Sequence, residues 1–293
     1  MDDELLRQLY HRLFSDPSFV HTRDCTFGDA IILLIHFFAV LDNRSHLWAS
    51  VKRNWPLWCR ALRFPSYSQL MKRLAKVSTQ QRIAQLNDEF RARLPRSTEK
   101  VCDGKPLVVG GYSKDCDAQR GKVPNGWARG YRLHALIDSL GAIEGFDVTS
   151  MEGGEPTAMR DIVQQIDLAG VMVRADCAYD SNPLYQQIAS RGGRLIATRK
   201  KPDTGLGHGQ HHPHRLQAIE ELEGEGNQQR LKEHQLHRTR AEQCFAHLTN
   251  LRFGIWALPN FVRRLKRVRQ WIKTKILLYH LHLALSQSAK AAA

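Results

Sequence analysis

Apolar positions in the first hundred residues recur at helical spacing. Residues 2–14 form a short amphipathic stretch, and residues 26–41 are apolar almost all round, which predicts a buried helix. Ser66 followed by Gln69 is a capping-box pair, so a helix is predicted to begin there. A last helix is predicted over about residues 78–94. Short helices of this kind could form a helix-turn-helix-like unit or a plain helical bundle, and the pattern leaves both open.

Beyond residue 100 the apolar pattern has the shorter period of strands. Five strands are predicted, over residues 101–110, 131–137, 142–149, 170–176 and 194–198. Helices are predicted between the later strands, over residues 156–168 and 181–191. Three antiparallel strands joined to two parallel ones, with covering helices, make a mixed α/β sheet in the ribonuclease H-like order. The predicted fold is therefore a five-stranded mixed sheet flanked by helices, with an all-helical N-terminal domain and a basic C-terminal helix.

The last predicted helix, over residues 261–285, has one apolar stripe at 3.6-residue spacing. Its other face carries seven basic side chains and no acid: Arg263, Arg264, Lys266, Arg267, Arg269, Lys273 and Lys275. Like charges this close repel one another unless an anion neutralises them. The face is therefore either solvated or bound to a polyanion.

The distribution of charge is more informative than its total. The chain has 293 residues, with 43 Lys and Arg against 29 Asp and Glu, which gives a formal charge of +14. Residues 1–100 carry 16 basic and 10 acidic side chains, residues 101–200 carry 12 of each, and residues 201–293 carry 15 and 7. Basic flanks around a neutral centre are typical of a nucleic-acid-binding enzyme, although a solvated basic surface fits the total equally well.

Cysteine usage and hydropathy narrow the class of protein. Six cysteines without a Cys-x-x-Cys pair predict free thiols in a reducing compartment. The longest apolar run, residues 30–41, is too short to span a bilayer of about 30 Å. The acidic residues 2–4 lead us to expect no signal peptide before it. We therefore expect a cytoplasmic protein without a membrane partner.

Three carboxylates stand where metal chemistry could use them. Asp103 interrupts an apolar strand, Asp176 ends the fourth strand, and Glu242 borders the buried side of a later helix. The first and fourth strands are neighbours in the predicted sheet, so both aspartates could reach one metal pair. Hard divalent cations prefer oxygen ligands that converge from separate parts of a fold. Structural roles are the alternative: Asp103 in a turn before Gly104, and Glu242 paired with Arg238 four residues earlier.

Four segments of the chain match the pattern of one known family. Residues 64–74 are similar to the segment before that family's catalytic domain, and residues 130–141, with Gly-Tyr-Arg-Leu-His, are similar to its second strand and hairpin. Residues 175–181, Ala-Asp-Cys-Ala-Tyr-Asp-Ser, resemble its second-aspartate motif, and residues 238–245 resemble the helix that supplies its glutamate. The chain thus resembles the DDE transposases of bacterial insertion sequences, over about residues 60–255.

Some positions depart from the family pattern. One branch of the family has Tyr, Arg, Glu and Lys at fixed spacing around the third acid. The corresponding residues here are Gln235, Arg238, Glu242 and Thr249, of which the Arg and the Glu match. The Asn and His-Asp that usually follow the third strand are replaced, with Glu155 and Asp161 nearby.

The resemblance implies a DNA transposase in which Asp103, Asp176 and Glu242 are catalytic and hold two Mg²⁺ or Mn²⁺ ions. It also implies double-stranded DNA as a partner, at the inverted-repeat ends of the protein's own element, a homodimer on that DNA, and a place at the bacterial nucleoid. The predicted DNA-binding residues are Arg238, Arg263, Arg264, Lys266, Arg267 and Lys273. The implied domains are a helical DNA-binding domain at 1–97, a catalytic domain at 98–255 with a His/Gly-rich loop at 200–227, and a basic C-terminal helix at 256–293.

Three other functions stay open at the level of sequence. An inactive, transposase-derived regulator would bind DNA without cutting it. A structure-selective nuclease of the ribonuclease H-like class would cut DNA without joining it. Four histidines in the loop could bind a transition metal, although no cysteine or helical spacing supports a structural site. These histidines are His208, His211, His212 and His214.

Overall fold

The contacts in a computed structural model divide the chain into two compact units. The structure describes residues 2–20, 25–202, 204–206, 209–255 and 257–292. Unit 1 comprises Met1–Leu94, Asn250–Ile255 and Pro259–Ala293, and unit 2 comprises Pro95–Thr249 with a short segment that ends at Leu258. The C-terminal helix therefore belongs to the same unit as the N-terminal helices.

Eleven α-helices and six strands follow one another in the described residues. The helices are α1 (Asp2–Phe14), α2 (Pro17–Val20), α3 (Asp29–Leu41), α4 (His46–Ala49), α5 (Tyr67–Leu74), α6 (Val77–Ala92), α7 (Glu155–Val163), α8 (Asn182–Ser190), α9 (Pro213–Glu223), α10 (Gln228–Asn250) and α11 (Leu265–Ala292). The strands are β1 (Glu99–Val108), β2 (Gln119–Val123), β3 (Gly126–Asp138), β4 (Ile143–Ser150), β5 (Met172–Ala175) and β6 (Arg194–Ala197). Within these ranges, no helix is long and apolar enough to cross a membrane.

Helix α3 is the centre of unit 1. All of its residues are buried, and it packs against α1 and α11, while α6 packs on α11. This position explains why its sequence is apolar all round rather than amphipathic. The capping box at α5 is also present: the Ser66 hydroxyl accepts from the Gln69 N–H, and the Gln69 side chain accepts from the Ser66 N–H. Both elements confirm the sequence pattern.

The last helix begins four residues later than its apolar stripe predicts. Arg264 has a φ of 73°, a left-handed conformation that a right-handed helix cannot include. Helix α11 therefore begins at Leu265, and Arg263 and Arg264 lie outside it. The stripe is present within the helix, since Val268, Ile272 and Ile276 are buried, whereas Phe261 at its predicted start is 41% exposed.

Unit 2 is built on one mixed sheet. Strand β3 pairs antiparallel with β1, β2 and β4, whereas β1 with β5 and β5 with β6 are parallel. The sheet order is β2-β3-β1-β5-β6, with β4 also on β3. Three successive antiparallel strands, β1, β3 and β4, are thus followed by two parallel strands on the far side of β1. This is the ribonuclease H-like arrangement that the sequence predicts.

The sheet has six strands where the sequence pattern predicts five. The additional strand, β2, has the sequence Gln-Arg-Gly-Lys-Val, in which no alternation of apolar residues marks a strand. It pairs with the first residues of β3, from Gly126 to Gly130, which lie before the predicted start of that strand. Pairing with a neighbouring strand, rather than local propensity, holds this polar segment in an extended conformation.

The predicted His/Gly-rich loop contains helix α9. Pro213 stands in the first turn of this helix, and the His212 side chain accepts from the His214 N–H, so two residues of the histidine cluster form a helix start. His208 lies outside the described residues. Among the residues that are described, no group of three or more His, Cys, Asp or Glu side chains is placed to hold a metal ion.

Candidate active site

Asp103 on β1 and Asp176, the residue that follows β5, lie at the same level of two adjacent strands. Strands β1 and β5 are parallel and pair Glu99 with Met172 and Val101 with Arg174. The same register, continued by two residues, places Asp103 opposite Asp176, just beyond the last residue of β5. The sequence prediction that these two strands are neighbours is confirmed. Two carboxylates from distant parts of the chain are thus held at one edge of the sheet.

Local hydrogen bonds orient both carboxylates. Asp103 Oδ1 accepts from the Gly104 N–H at 2.8 Å. Asp176 N-caps a single 3₁₀ turn, Cys177–Tyr179, where its Oδ1 accepts from the Ala178 N–H at 2.9 Å. Each of these hydrogen bonds uses only Oδ1, so the Oδ2 atom of each aspartate takes part in neither bond.

The surroundings of Asp103 disfavour its ionised form. The pKa of Asp103 is raised to about 6, chiefly by burial and to a smaller extent by the nearby charge of Asp176, although the Gly104 N–H and Arg238 act in the opposite direction. The ionised form of such a buried carboxylate is stabilised by any cation that enters the site. The pair therefore has the electrostatic character of a cation site in which Arg238 provides a positive counter-charge.

Helix α10 crosses the end of β5 through two successive turns. The Nε2 of His234, which is fully buried, lies 3.1 Å from the Ala175 carbonyl oxygen. One turn later, Arg238 Nη2 lies 3.9 Å from Asp176 Oδ2. These contacts fix the face that α10 turns toward the aspartates, and Arg238 belongs to that face.

Glu242 follows Arg238 by one more turn on the same side of α10. Its side chain is exposed, and among the described residues no hydrogen bond or ion pair joins it to either aspartate. Its neighbour Phe245 is buried, and Lys105 Nζ of β1 lies 5.9 Å from the Phe245 ring centre. Helix α10 thus runs along both aspartate-bearing strands, with Glu242 between its contact to β5 and its contact to β1. Within the described part of the chain, the structure does not bring the three predicted acids together as one metal-binding group.

A different acid, Glu155, does lie beside the aspartate pair. A Cβ atom added to Gly104 would stand 3.3 Å from Glu155 Oε2 and 3.6 Å from the Tyr179 hydroxyl. Glu155 forms an ion pair with Arg132, and burial raises its pKa, with Arg132 acting to lower it and Asp176 to raise it. Its signal in the sequence is the run Gly-Glu-Pro after the third antiparallel strand. This is a helix-start pattern that places an acid in the first turn of α7.

The basic residues predicted to bind DNA divide into two groups. Arg264, Lys266 and Arg267 are exposed. The Arg263 guanidinium instead donates to the Pro259 and Val262 carbonyls at 2.7 Å, so it holds the turn before α11.

Two lysines of the same predicted face are turned inward. Lys273 is half-buried, and its Nζ lies 3.5 Å from the Gln80 carbonyl oxygen. Lys275 is buried, and its ammonium donates to Asn43 Oδ1 and to the carbonyls of Phe253 and Gly254. The expectation that all seven basic side chains share one solvent face is therefore wrong for Lys275. Three acceptors match the three N–H groups of an ammonium, which helical spacing alone does not show.

Comparison with known families identifies the class of the chain. The family model of the transposase DDE domain matches residues 98–281. The chain belongs to the transposase DDE domain family. The match begins just before β1 and extends into α11, so it includes Asp103, Asp176 and Glu242. The resemblance that the sequence motifs indicate is confirmed, although the family match does not include residues 60–97.

Among solved structures, this DDE-domain chain is similar to the piggyBac transposase in a cryo-EM synaptic complex with hairpin DNA. The two share 10% sequence identity with a TM-score of 0.49, over 97% of this chain and 76% of that one. No curated protein matches the chain.

The donor chemistry at the aspartate pair fits a divalent cation of the Mg²⁺ type. Asp103 and Asp176 each have a carboxylate oxygen outside the hydrogen bonds described above, and oxygen is the ligand that Mg²⁺ and Mn²⁺ prefer. A bound cation would also stabilise the ionised form of Asp103, whose pKa is raised by burial and by the charge of Asp176. Further ligands must come from another side chain, from water or from substrate, as is usual for Mg²⁺.

Proposed function

We propose that this transposase cleaves DNA at the ends of an insertion sequence and joins those ends to target DNA in a metal-dependent reaction. The single observation that carries the proposal is the register of Asp103 opposite Asp176 with Arg238 over the pair. Asp103, Asp176 and Glu242 would hold Mg²⁺ or Mn²⁺. Bound there, the two cations would activate the attacking oxygen and stabilise the leaving oxygen of a phosphodiester.

The side chains around the aspartates have separate tasks in this proposal. The Arg238 guanidinium lies 3.9 Å from Asp176. In this proposal it turns from Asp176 to contact a phosphate that enters the site. Glu242 is exposed one turn away on the same side of α10, and in this proposal it is the third acid of the site. Glu155 and Arg132 enclose Gly104 and so limit the backbone freedom of Asp103.

The DNA partner of the proposed reaction is double-stranded DNA with inverted-repeat ends, bound by a homodimer. Support comes from the exposed basic side chains at the start of α11, which have the charge that a phosphate backbone requires. Lys266 and Arg267 are the first candidates. Arg263 and Lys273 are weaker candidates because each has a hydrogen bond within unit 1.

The direct test is plasmid-to-plasmid transposition together with a Mg²⁺-dependent nicking assay on the element ends. Asp103→Asn and Asp176→Asn should each abolish nicking and joining while DNA binding remains. The matched control is Asp161→Asn, which removes an exposed carboxylate from α7. Wild-type frequencies in both folded aspartate variants would refute the site assignment.

The products of the same assay separate the rival functions. Nicked but unjoined DNA from the wild-type protein indicates a nuclease, whereas bound and intact DNA indicates a regulator. Metal dependence has its own test: Asp176→Cys should be inactive with Mg²⁺ and regain part of its activity with Mn²⁺, which tolerates a softer ligand better. If Mn²⁺ gives no such recovery while wild-type protein is active with both metals, Asp176 is not a ligand.

A further inference from the structure

Unit 1 contains a cavity of about 90 Å³ at the start of α11. Its lining includes Tyr67 from α5, His46 from α4, and Arg267, Gln270 and Trp271 from α11. A single water molecule needs about 10–15 Å³ of such volume, so there is room for a group of several non-hydrogen atoms. None of the described residues that line the cavity is an aspartate or a glutamate.

Two buried hydrogen-bond donors in this lining have no acceptor among the residues that the structure describes. The Trp271 side chain is 2% exposed, and its indole Nε1 has no hydrogen-bond partner among the described residues. The Nε2 of Gln270 is also buried without a partner in the part of the chain that the structure describes. Buried donors of native proteins are almost always paired with protein, water or ligand. Because both side chains line the cavity, a group bound inside it would offer the acceptor that these two donors lack among the described residues.

The charge around the cavity favours an anion. Arg267 brings a guanidinium, and both Arg267 and Gln270 lie in the first two turns of α11, where the helix dipole is positive. The positive field of Arg267, after burial, lowers the pKa of His46 to about 4, so the same cation acts on the cavity wall. Donors without carboxylates, next to a cation, are the pattern of an oxyanion site.

We propose that this cavity binds a phosphate group, with Arg267 as the counter-charge and the side-chain N–H groups of Gln270 and Trp271 as donors. The phosphate can belong to a DNA backbone or to a free phosphate compound, and both present the same oxygens. The DNA source depends on the function proposed above, whereas binding of free phosphate does not. A DNA phosphate seated here would fix the register of the duplex on unit 1 without reading its sequence.

The test follows the indole N–H signals of protein labelled with ¹⁵N-tryptophan. The variant Trp271→Phe identifies the Trp271 signal by its loss. Inorganic phosphate is then titrated against wild-type protein, with sodium chloride at equal ionic strength as the reference, and a duplex of the element end is titrated separately. A shift of the Trp271 signal by phosphate, or by the duplex alone, supports the site and distinguishes the two sources.

Variants connect the shift to the cavity. Arg267→Gln should weaken the phosphate effect about tenfold, since a charge-assisted contact is lost. The control Arg53→Gln removes an exposed cation of unit 1 outside the cavity and should change nothing. Gln270→Glu, which keeps the side-chain size and adds a negative charge, should abolish the effect and serves as the second variant if Arg267→Gln does not fold.

Two results overturn the proposal. The first is a Trp271 signal that moves with neither phosphate nor duplex, since the cavity then holds only water. The second is an equal response in wild-type protein and the folded Gln270→Glu variant. Failure of the proposed DNA cleavage is a separate result, because Asp176→Asn protein should keep the phosphate-induced shift.

Discussion

Asp103 on β1 lies opposite Asp176, the residue after β5, when the register of these two parallel strands is continued by two residues, and burial together with the charge of Asp176 raises the pKa of Asp103. The sheet thus holds two acids together at a cost in folding free energy. Such a cost is expected where a protein keeps charges in place for chemistry rather than for stability. In the metal-free protein this cost should be measurable as a lower free energy of unfolding.

We predict that Asp103→Asn stabilises the metal-free protein at pH 7.5. The pKa of Asp103 is about 6 in the folded state, against an ordinary value of 3.8 for an aspartate in water. Ionisation therefore opposes folding above pH 6, and the penalty disappears below about pH 4, where both states are protonated. The gain in free energy of unfolding should be on the order of 1–2 kcal/mol at pH 7.5. It should decline to near zero as the pH falls through 6 to 4.

Chemical denaturation of both proteins in EDTA at several pH values measures this gain. Asp161→Asn serves as the control, because it removes an exposed carboxylate of α7 that lies outside the aspartate pair. An Asp103→Asn variant that is less stable than wild type at pH 7.5 would contradict the account of the aspartate pair.

We predict that Glu155→Gln slows DNA nicking while leaving DNA affinity within about twofold. The substitution removes the charge that pairs with Arg132 beside Gly104, so the backbone next to Asp103 loses a fixed neighbour. Positioning defects of this kind lower the rate of the chemical step more than binding. Single-turnover nicking at saturating protein, with fluorescence anisotropy for affinity, measures both quantities.

The conservative variant Glu155→Asp separates positioning from simple loss of stability. It keeps the charge on a shorter side chain and should recover part of the nicking rate. If Glu155→Gln and wild type nick at the same rate, Glu155 has no part in the site. If both variants unfold at the assay temperature, the experiment is repeated at a temperature where circular dichroism shows folded protein.

We predict opposite effects for two lysines of the last helix. Lys275→Met removes the donor that serves Asn43 and two backbone carbonyls, and it should lower the thermal midpoint without changing the salt dependence of DNA binding. Lys266→Gln removes an exposed charge and should do the reverse, reducing the slope of log affinity against log salt by about 0.9 for one lost phosphate contact. Melting curves and salt titrations of both variants measure the contrast. An altered salt slope for Lys275→Met at a temperature where it is folded would reject the buried role.

The sequence motifs predict the aspartate pair well because strand order and local pattern suffice for it. Asp103 and Asp176 each lie in a short apolar run, and parallel neighbours in a mixed sheet bring those runs together. The Gly-Glu-Pro run predicts a helix start at Glu155 but not its place beside the aspartates, because that place depends on its ion pair with Arg132 of β3. The predicted basic face fails at Lys275 for a related reason. Helical spacing predicts which face of a helix a residue lies on, but it does not predict which carbonyl groups of other segments lie against that face.

Helix α3 has a consequence for the order in which the protein is made. All of its residues are buried, and part of the surface that covers them comes from α11, which the ribosome makes after the whole of unit 2. During synthesis, part of the apolar surface of α3 therefore stays exposed until about 170 residues between α6 and α11 have been made. Unit 2 can fold in that interval because its sheet is local to residues 99–197. The first effect of substitutions that weaken the packing of α11 on α3 should thus be aggregation of newly made chains.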